Sequence, residues 1–140
     1  MEIKFKVFGK PTALKRHRTF TRGNFTGQFD PSKGDKKDFL LLSMQNKPDI
    51  PFDEPLMLTL SFVFPRPKSH YRTGKHSGTM KETAPTFHTS TPDTDNLIKF
   101  VCDALNHIYW KDDSCISIIT ATKTYGDTPY TELTVNTMET

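Results

Sequence analysis

In "EIKFKVF" (residues 2–8), Ile3, Phe5 and Val7 fall on one side of an extended chain and Lys4, Lys6 and Phe8 on the other. This is the period-two alternation of a strand. Gly9-Lys10-Pro11 ends it, and a polar segment with Gly, Asn and Pro turn residues follows, expected as a loop. Residues 36–47, "KKDFLLLSMQNK", suit a helix of about three turns closed by Pro48. "EPLMLTLSFVF" (54–64) is rich in aromatic and aliphatic residues, stops at Pro65 and reads as a strand. Residues 65–92 form a second polar loop. From Asp95, Leu97, Ile98, Val101, Ala104, Leu105 and Ile108 make a single apolar stripe at helical spacing, with Asp95, Lys99, Asp103 and Asn106 opposite. "SCISIITATKTY" (114–125) and "YTELTVNTM" (130–138) alternate as strands joined by the turn "GDTP". The order β-α-β-α-β-β, with no repeat and no linker, predicts an α+β fold: one domain over residues 1–140, with one mixed β-sheet and two helices.

Size and composition fit that reading. The 140 residues suffice for one compact domain, and 34% hydrophobic with 25% charged residues is a globular composition. No apolar run approaches the roughly 18 residues that cross a bilayer, and "MEIKFKVFGK" is too charged for a signal peptide. Neither a membrane nor a small-molecule cofactor is expected. Cys102 and Cys115 are too few for a disulfide framework and lack the CxxC or His-rich surroundings of a zinc site, which fits a reducing cytoplasm.

Charge adds a division within the chain. Residues 1–92 hold sixteen Lys/Arg and eight Asp/Glu, whereas residues 93–140 hold three and eight. The bases concentrate in the two polar segments. Lys10, Lys15, Arg16, Arg18 and Arg22 form one run without an acid, beside Phe20 and Phe25. Arg66, Lys68, Arg72, Lys75 and Lys81 form another, interspersed with His70, Tyr71 and His76. Bases interleaved with aromatics suit phosphate contact and base stacking. Their plainer role is to keep a loop solvated; two separate acid-free runs favour nucleic acid.

The carboxylates concentrate in "PDTDNLIKFVCDALNHIYWKDD" (92–113), which holds five aspartates. Asp93 and Asp95 stand at the helix entrance, where a single aspartate ordinarily caps free N–H groups. Two there repel one another unless a cation, Lys99 or a metal, lies between them. If Asp93, Asp95 and one of Asp112 and Asp113 converge, they form an oxygen-only site for Mg²⁺ or Mn²⁺. Within a basic setting such a site serves phosphodiester hydrolysis. Lys99 would then stabilise developing charge, or otherwise make only an i,i+4 pair with Asp95 or Asp103. An EF-hand starting at Asp93 is excluded because Ile98 and Ala104 stand where Gly and Glu are required. An aspartyl-phosphate phosphatase is excluded because "HTSTP", not an apolar strand, precedes.

"PDTDNLIKFVCDALN…WKDDSCI" resembles the core motif of the RusA family of Holliday junction resolvases, D-x-D-N-L-x-K-x-x-x-D-A-L followed by D-D-x-x-I. "GKPTALKRHRTFTR" is similar to the family's N-terminal basic segment, and "FPRPKSHY" and "ATKTYG" extend the likeness over most of the chain. The resemblance implies a homodimeric endodeoxyribonuclease that cuts four-way DNA junctions with paired nicks, using Mg²⁺ with Mn²⁺ as substitute. It implies Asp93, Asp95 and Asp113 as metal ligands and catalytic carboxylates, with Asp112 the lesser candidate. Lys99 becomes the catalytic lysine, and Asp103 and Asn96 take supporting roles. By the same matching Arg16 and Arg18 would bind the junction, joined by Lys15, Arg22, Arg66, Lys68, Arg72 and Lys75 of the two basic runs. A bacterial or phage-encoded protein working at the nucleoid follows from the same likeness. His17 and Cys115 depart from the pattern, away from the proposed ligands. The competing expectations are an inert junction-binding protein of the same fold and a Mg²⁺-dependent nuclease for other branched nucleic acids.

Overall fold

The computed structural model describes residues 1–139. Strand β1 (Glu2–Phe8) has the expected alternation, with Phe5 and Val7 buried and Lys4 and Lys6 exposed. The next polar segment is not a loop throughout. Strands β2 (Arg18–Arg22) and β3 (Phe25–Phe29) pair antiparallel about Gly23-Asn24, where Gly23 takes the positive φ of +59° that a tight hairpin demands. They form a separate two-stranded sheet.

Helix α1 (Lys33–Ser43) begins three residues before the predicted start, and residues 44–46 narrow into a 3₁₀ turn before Pro48. In β4 (Leu56–Pro65), Leu56, Leu58, Leu60, Phe62 and Phe64 are buried, while Met57, Thr59 and Ser61 lie half-exposed on the other face. Helix α2 (Thr94–Leu105) buries Leu97, Val101, Ala104 and Leu105 as the stripe requires. It also buries Phe100, edge-on to Phe39 of α1 at 5.7 Å, and Cys102. The helix ends before Ile108, which packs on the core from a turn in which His107 takes the left-handed φ of +69°. Tyr109 and Trp110 follow, fully buried; the Tyr109 hydroxyl donates to the Ser43 carbonyl at the end of α1.

Strands β5 (Ile116–Gly126) and β6 (Tyr130–Thr137) complete a four-stranded sheet in the order β1-β6-β4-β5. β6 is antiparallel to both β1 and β4, and β4 is parallel to β5, so the sheet is mixed. One face and the two helices enclose a single core of Phe5, Leu58, Phe62, Leu97, Trp110, Leu133 and their neighbours. The chain is thus the α+β domain expected, with two additional strands in the N-terminal segment. No helix among the described residues is long and apolar enough to cross a membrane.

The long segment after β4 also has structure. Arg72 and Thr79, and Lys81 and His70, are joined by backbone hydrogen bonds of 2.8 and 2.9 Å. Its end lies along the outer edge of β5: His88 N–H donates to Lys123 and Tyr125 N–H to Thr86, at 3.0 and 3.1 Å. An edge strand offers unpaired backbone groups, and these bonds cover part of it.

Candidate active site

Asp93 is the residue immediately before α2, yet its carboxylate accepts no capping hydrogen bond. Its backbone carbonyl takes the Leu97 N–H instead, at 3.2 Å. The usual reason for an aspartate here is therefore absent. Asp95 lies in the first turn, exposed, with Lys99 Nζ 3.8 Å from its Oδ2. Both side chains are more than half exposed, so the pair is worth roughly 0.3–0.5 kcal/mol. The approach to this entrance is held from below. Lys123 of β5 donates from Nζ to the carbonyls of Ser90 and Pro92, at 2.8 and 2.7 Å. Sequence reading did not single out Lys123, although it is the sole cation between Asp112 and Glu139.

Asp112 and Asp113 prove unlike. The Asp112 carboxylate accepts from the Ser114 N–H at 3.0 Å and caps the 3₁₀ turn Asp113–Cys115; hydrogen bonding to Ser114 holds it below the usual carboxylate range. Asp113 is half-buried and accepts from Trp110 Nε1 at 2.8 Å. Burial pushes its pKa up, and the nearby Asp103 and Asp112 charges add to this against the Trp110 bond. Asp113 thus lies within electrostatic reach of Asp103, in the C-terminal half of α2. Among the described residues, no three His, Cys, Asp or Glu side chains are gathered closely enough to hold a metal ion. The structure brings Asp93 and Asp95 to one end of α2 and Asp113 to Asp103 near the other. Cys102, between these carboxylates and the core, is a free thiol pushed up to about 12 by burial and then by Asp113 and Asp103. Asp103 is also 3.7 Å from Lys36 of α1, which reaches Asp30 at 2.6 Å. Neither Lys36 nor Asp30 carries a sequence signal that separates it from other surface charges.

The basic N-terminal arm docks on this helix. Leu14 N–H donates to the Asn96 carbonyl at 3.0 Å, and Lys15 N–H to Ser32 Oγ at 2.8 Å. Exposed Lys15 and Arg16 therefore leave the body of the protein beside Asp93 and Asp95, with Arg18 and Arg22 continuing along β2. In the second basic segment Lys68, Arg72 and Lys75 are exposed. Arg66 is otherwise engaged: its guanidinium donates to the Pro85 carbonyl at 2.7 Å, meets His70 Nδ1 at 3.3 Å and lies 5.4 Å from the Tyr125 ring centre. It braces the segment internally.

A sequence model of the family described as Endodeoxyribonuclease RusA matches residues 9–136. The chain belongs to the RusA endodeoxyribonuclease family. The match runs from the basic arm through both aspartate clusters to β6, so it takes in the whole of the surface just described. A protein of Bacillus subtilis (strain 168), named "Uncharacterized protein YqaN", is 33% identical over 135 residues, covering 95% of this chain and 94% of that one. This RusA-family chain is accordingly a nuclease by family, of a class that acts on branched DNA. Its carboxylates fit a divalent cation in kind, since the donors are oxygen alone. In number they fall short among the described residues of one chain, where no three are gathered.

Proposed function

We propose that this RusA-family protein resolves four-way DNA junctions by paired, symmetric hydrolysis of opposed strands, acting as a homodimer with Mg²⁺ or, in its place, Mn²⁺. The observation that carries the reading is the bond from Leu14 to Asn96, which holds an acid-free basic arm against the entrance of α2, where Asp93 and Asp95 are exposed and Asp93 makes no capping bond. Bases without acids bind phosphate without regard to sequence, and a carboxylate surface has no affinity for DNA unless a cation joins it.

Asp93, Asp95 and Asp113 would hold the ion, which when bound activates water and offsets charge on the phosphate. Because the described residues of one chain do not gather these three around one point, Asp113 would join Asp93 and Asp95 from a second chain, or a phosphate oxygen of the substrate would stand in for it. Lys99, exposed and only weakly held by Asp95, is free to turn its ammonium to the scissile phosphate. Lys15, Arg16, Arg18, Arg22, Lys68, Arg72 and Lys75 would grip the phosphates on either side. A two-fold dimer suits the near two-fold symmetry of the junction, offering one site to each of two strands. The work would be done at the bacterial nucleoid, by a host or phage-encoded enzyme.

The test is incubation of an end-labelled synthetic four-way junction with Mg²⁺ or Mn²⁺, beside a linear duplex of the same sequence and an Asp95→Asn control. Paired nicks at symmetric positions, in the junction alone and missing from the variant, are expected. Tight junction binding without cutting in either metal, over several junction sequences, would leave an inert binder in place of a resolvase.

A further inference from the structure

The β2–β3 hairpin has two chemically different faces. In its register Arg18 stands opposite Phe29, Phe20 opposite Gly27 and Arg22 opposite Phe25, and residues directly opposite share a face. One face therefore carries three phenylalanines between two arginines. The other carries only Thr19, Thr21, Thr26 and Gln28. Phe20 lies at the centre of its face, 6.0 Å from Phe25 and 6.4 Å from Phe29 between ring centres. It lies across Gly27: a Cβ there would come within 2.6 Å of the Phe20 ring. The glycine makes room for the ring. Phe25 and Phe29 are 62% and 45% exposed, so three aromatic side chains are spent on a surface and not on a core.

The ribbon is rooted beside the acidic helix. Asp30, the residue after β3, accepts from Lys36 Nζ at 2.6 Å and from Ser32 N–H at 2.9 Å, and lies 4.0 Å from His17 Nε2, ahead of β2. Lys36 in turn reaches Asp103 on α2. Both legs are thus fastened where the ribbon meets the body, next to the helix face that carries Asp95, Lys99 and Asp103.

Resting on the DNA-cutting reading above, we propose that this aromatic face is a stacking platform for nucleobases opened at the branch point, and so the element by which the protein tells branched from linear DNA. Phenylalanine rings stack on bases of any identity, and flanking guanidiniums meet the phosphates on either side. A two-stranded ribbon has the width that a DNA groove admits. In continuous duplex every base is already paired and stacked, and the rings find no partner; at a junction the central pairs open at least cost. A second copy of the chain is the poorer occupant. From Lys10 to Phe29 there is no acid, so two such faces laid together would oppose arginine to arginine.

The experiment uses the full chain carrying Asp95→Asn, so that DNA is bound and not cut, with a four-way junction and a matched linear duplex, both holding 2-aminopurine at the central position. The parent is expected to prefer the junction and to raise 2-aminopurine fluorescence there as the base leaves the stack. Adding Phe20→Ala with Phe25→Ala should lower junction affinity by about ten-fold or more, change duplex affinity less than about two-fold, and abolish the fluorescence rise. Phe20→Trp should retain all three, and Thr19→Ala with Thr21→Ala on the opposite face should change none. If the parent prefers junctions and the double phenylalanine variant keeps both preference and fluorescence, the platform is overturned while the resolvase reading stands. Dissociation of a parent dimer by the same variant would also overturn it, making the face an interface between copies. A parent that binds junction no better than duplex overturns both readings together.

Discussion

Asp93 occupies the position at which an aspartate ordinarily caps a helix, and leaves that task undone. Asp112, the lesser candidate beside Asp113, performs that task at a different element, the 3₁₀ turn Asp113–Cys115. Residue types at a spacing could place these carboxylates at element ends, because helix periodicity fixes where an element begins. They could not say which carboxylate would be consumed by the backbone, since that depends on the local rotation of the chain. The same limit applies to His88. Its ring stacks on Phe64 at 4.1 Å and lies 5.1 Å from Tyr125, with Nδ1 buried and unpartnered. Burial, then the charges of Lys123 and Lys10, lowers its pKa. A histidine held below its unfolded value of about 6.5 leaves the unfolded state binding more protons as pH falls through that value. Stability therefore drops on acidification and is regained above it. Urea midpoints taken at about pH 5 and pH 7.5 should differ more for the wild type than for His88→Phe, which keeps the stack and loses the proton site.

Among the elements, α2 was the most legible, because its apolar stripe and its charged face obey one period. What the stripe missed was Phe100, which widens the buried face to meet α1. Truncation by Phe100→Ala should cost about 3–5 kcal/mol, read as a lower urea midpoint at unchanged slope. Lys99→Ala, one position away but exposed, should stay within about 0.5 kcal/mol. The hairpin was the least legible element. "RTFTR" and "FTGQF" do alternate, and Gly23-Asn24 between them is a two-residue turn signal. Yet neither side of the alternation is an apolar side turned to a core, and hydrophobic pattern finds strands by their buried face. An element whose apolar residues point outward escapes that rule.

Across the molecule, the segregation of charge was countable from sequence, but its juxtaposition was not: the contact from Leu14 to Asn96 is made by backbone atoms that carry no residue signature. Nor could counting distinguish free from occupied cations. Arg66 and Arg18 read alike, but Arg66 is tied to the Pro85 carbonyl while Arg18 is exposed on β2, with no such bond among the described residues. Plotting log affinity for a junction against log salt concentration should give a steep fall, about 10³-fold between 50 and 200 mM for six phosphate contacts. Arg18→Ala should reduce that slope by about 1, whereas Arg66→Ala should leave it unchanged and act on stability instead. The sheet order has its own consequence for how the protein is made. β6, which follows the other strands of this sheet in the chain, lies between β1 and β4. Translation at about 5–20 residues per second delivers β1, both helices, β4 and β5 first, and until residues 130–137 leave the ribosome β1 has no neighbour in the sheet and β4 lacks one of its two. A nascent chain thus carries both basic segments and both aspartate clusters before it has the keystone that closes the body beneath them. The sheet is assembled from its margins inward.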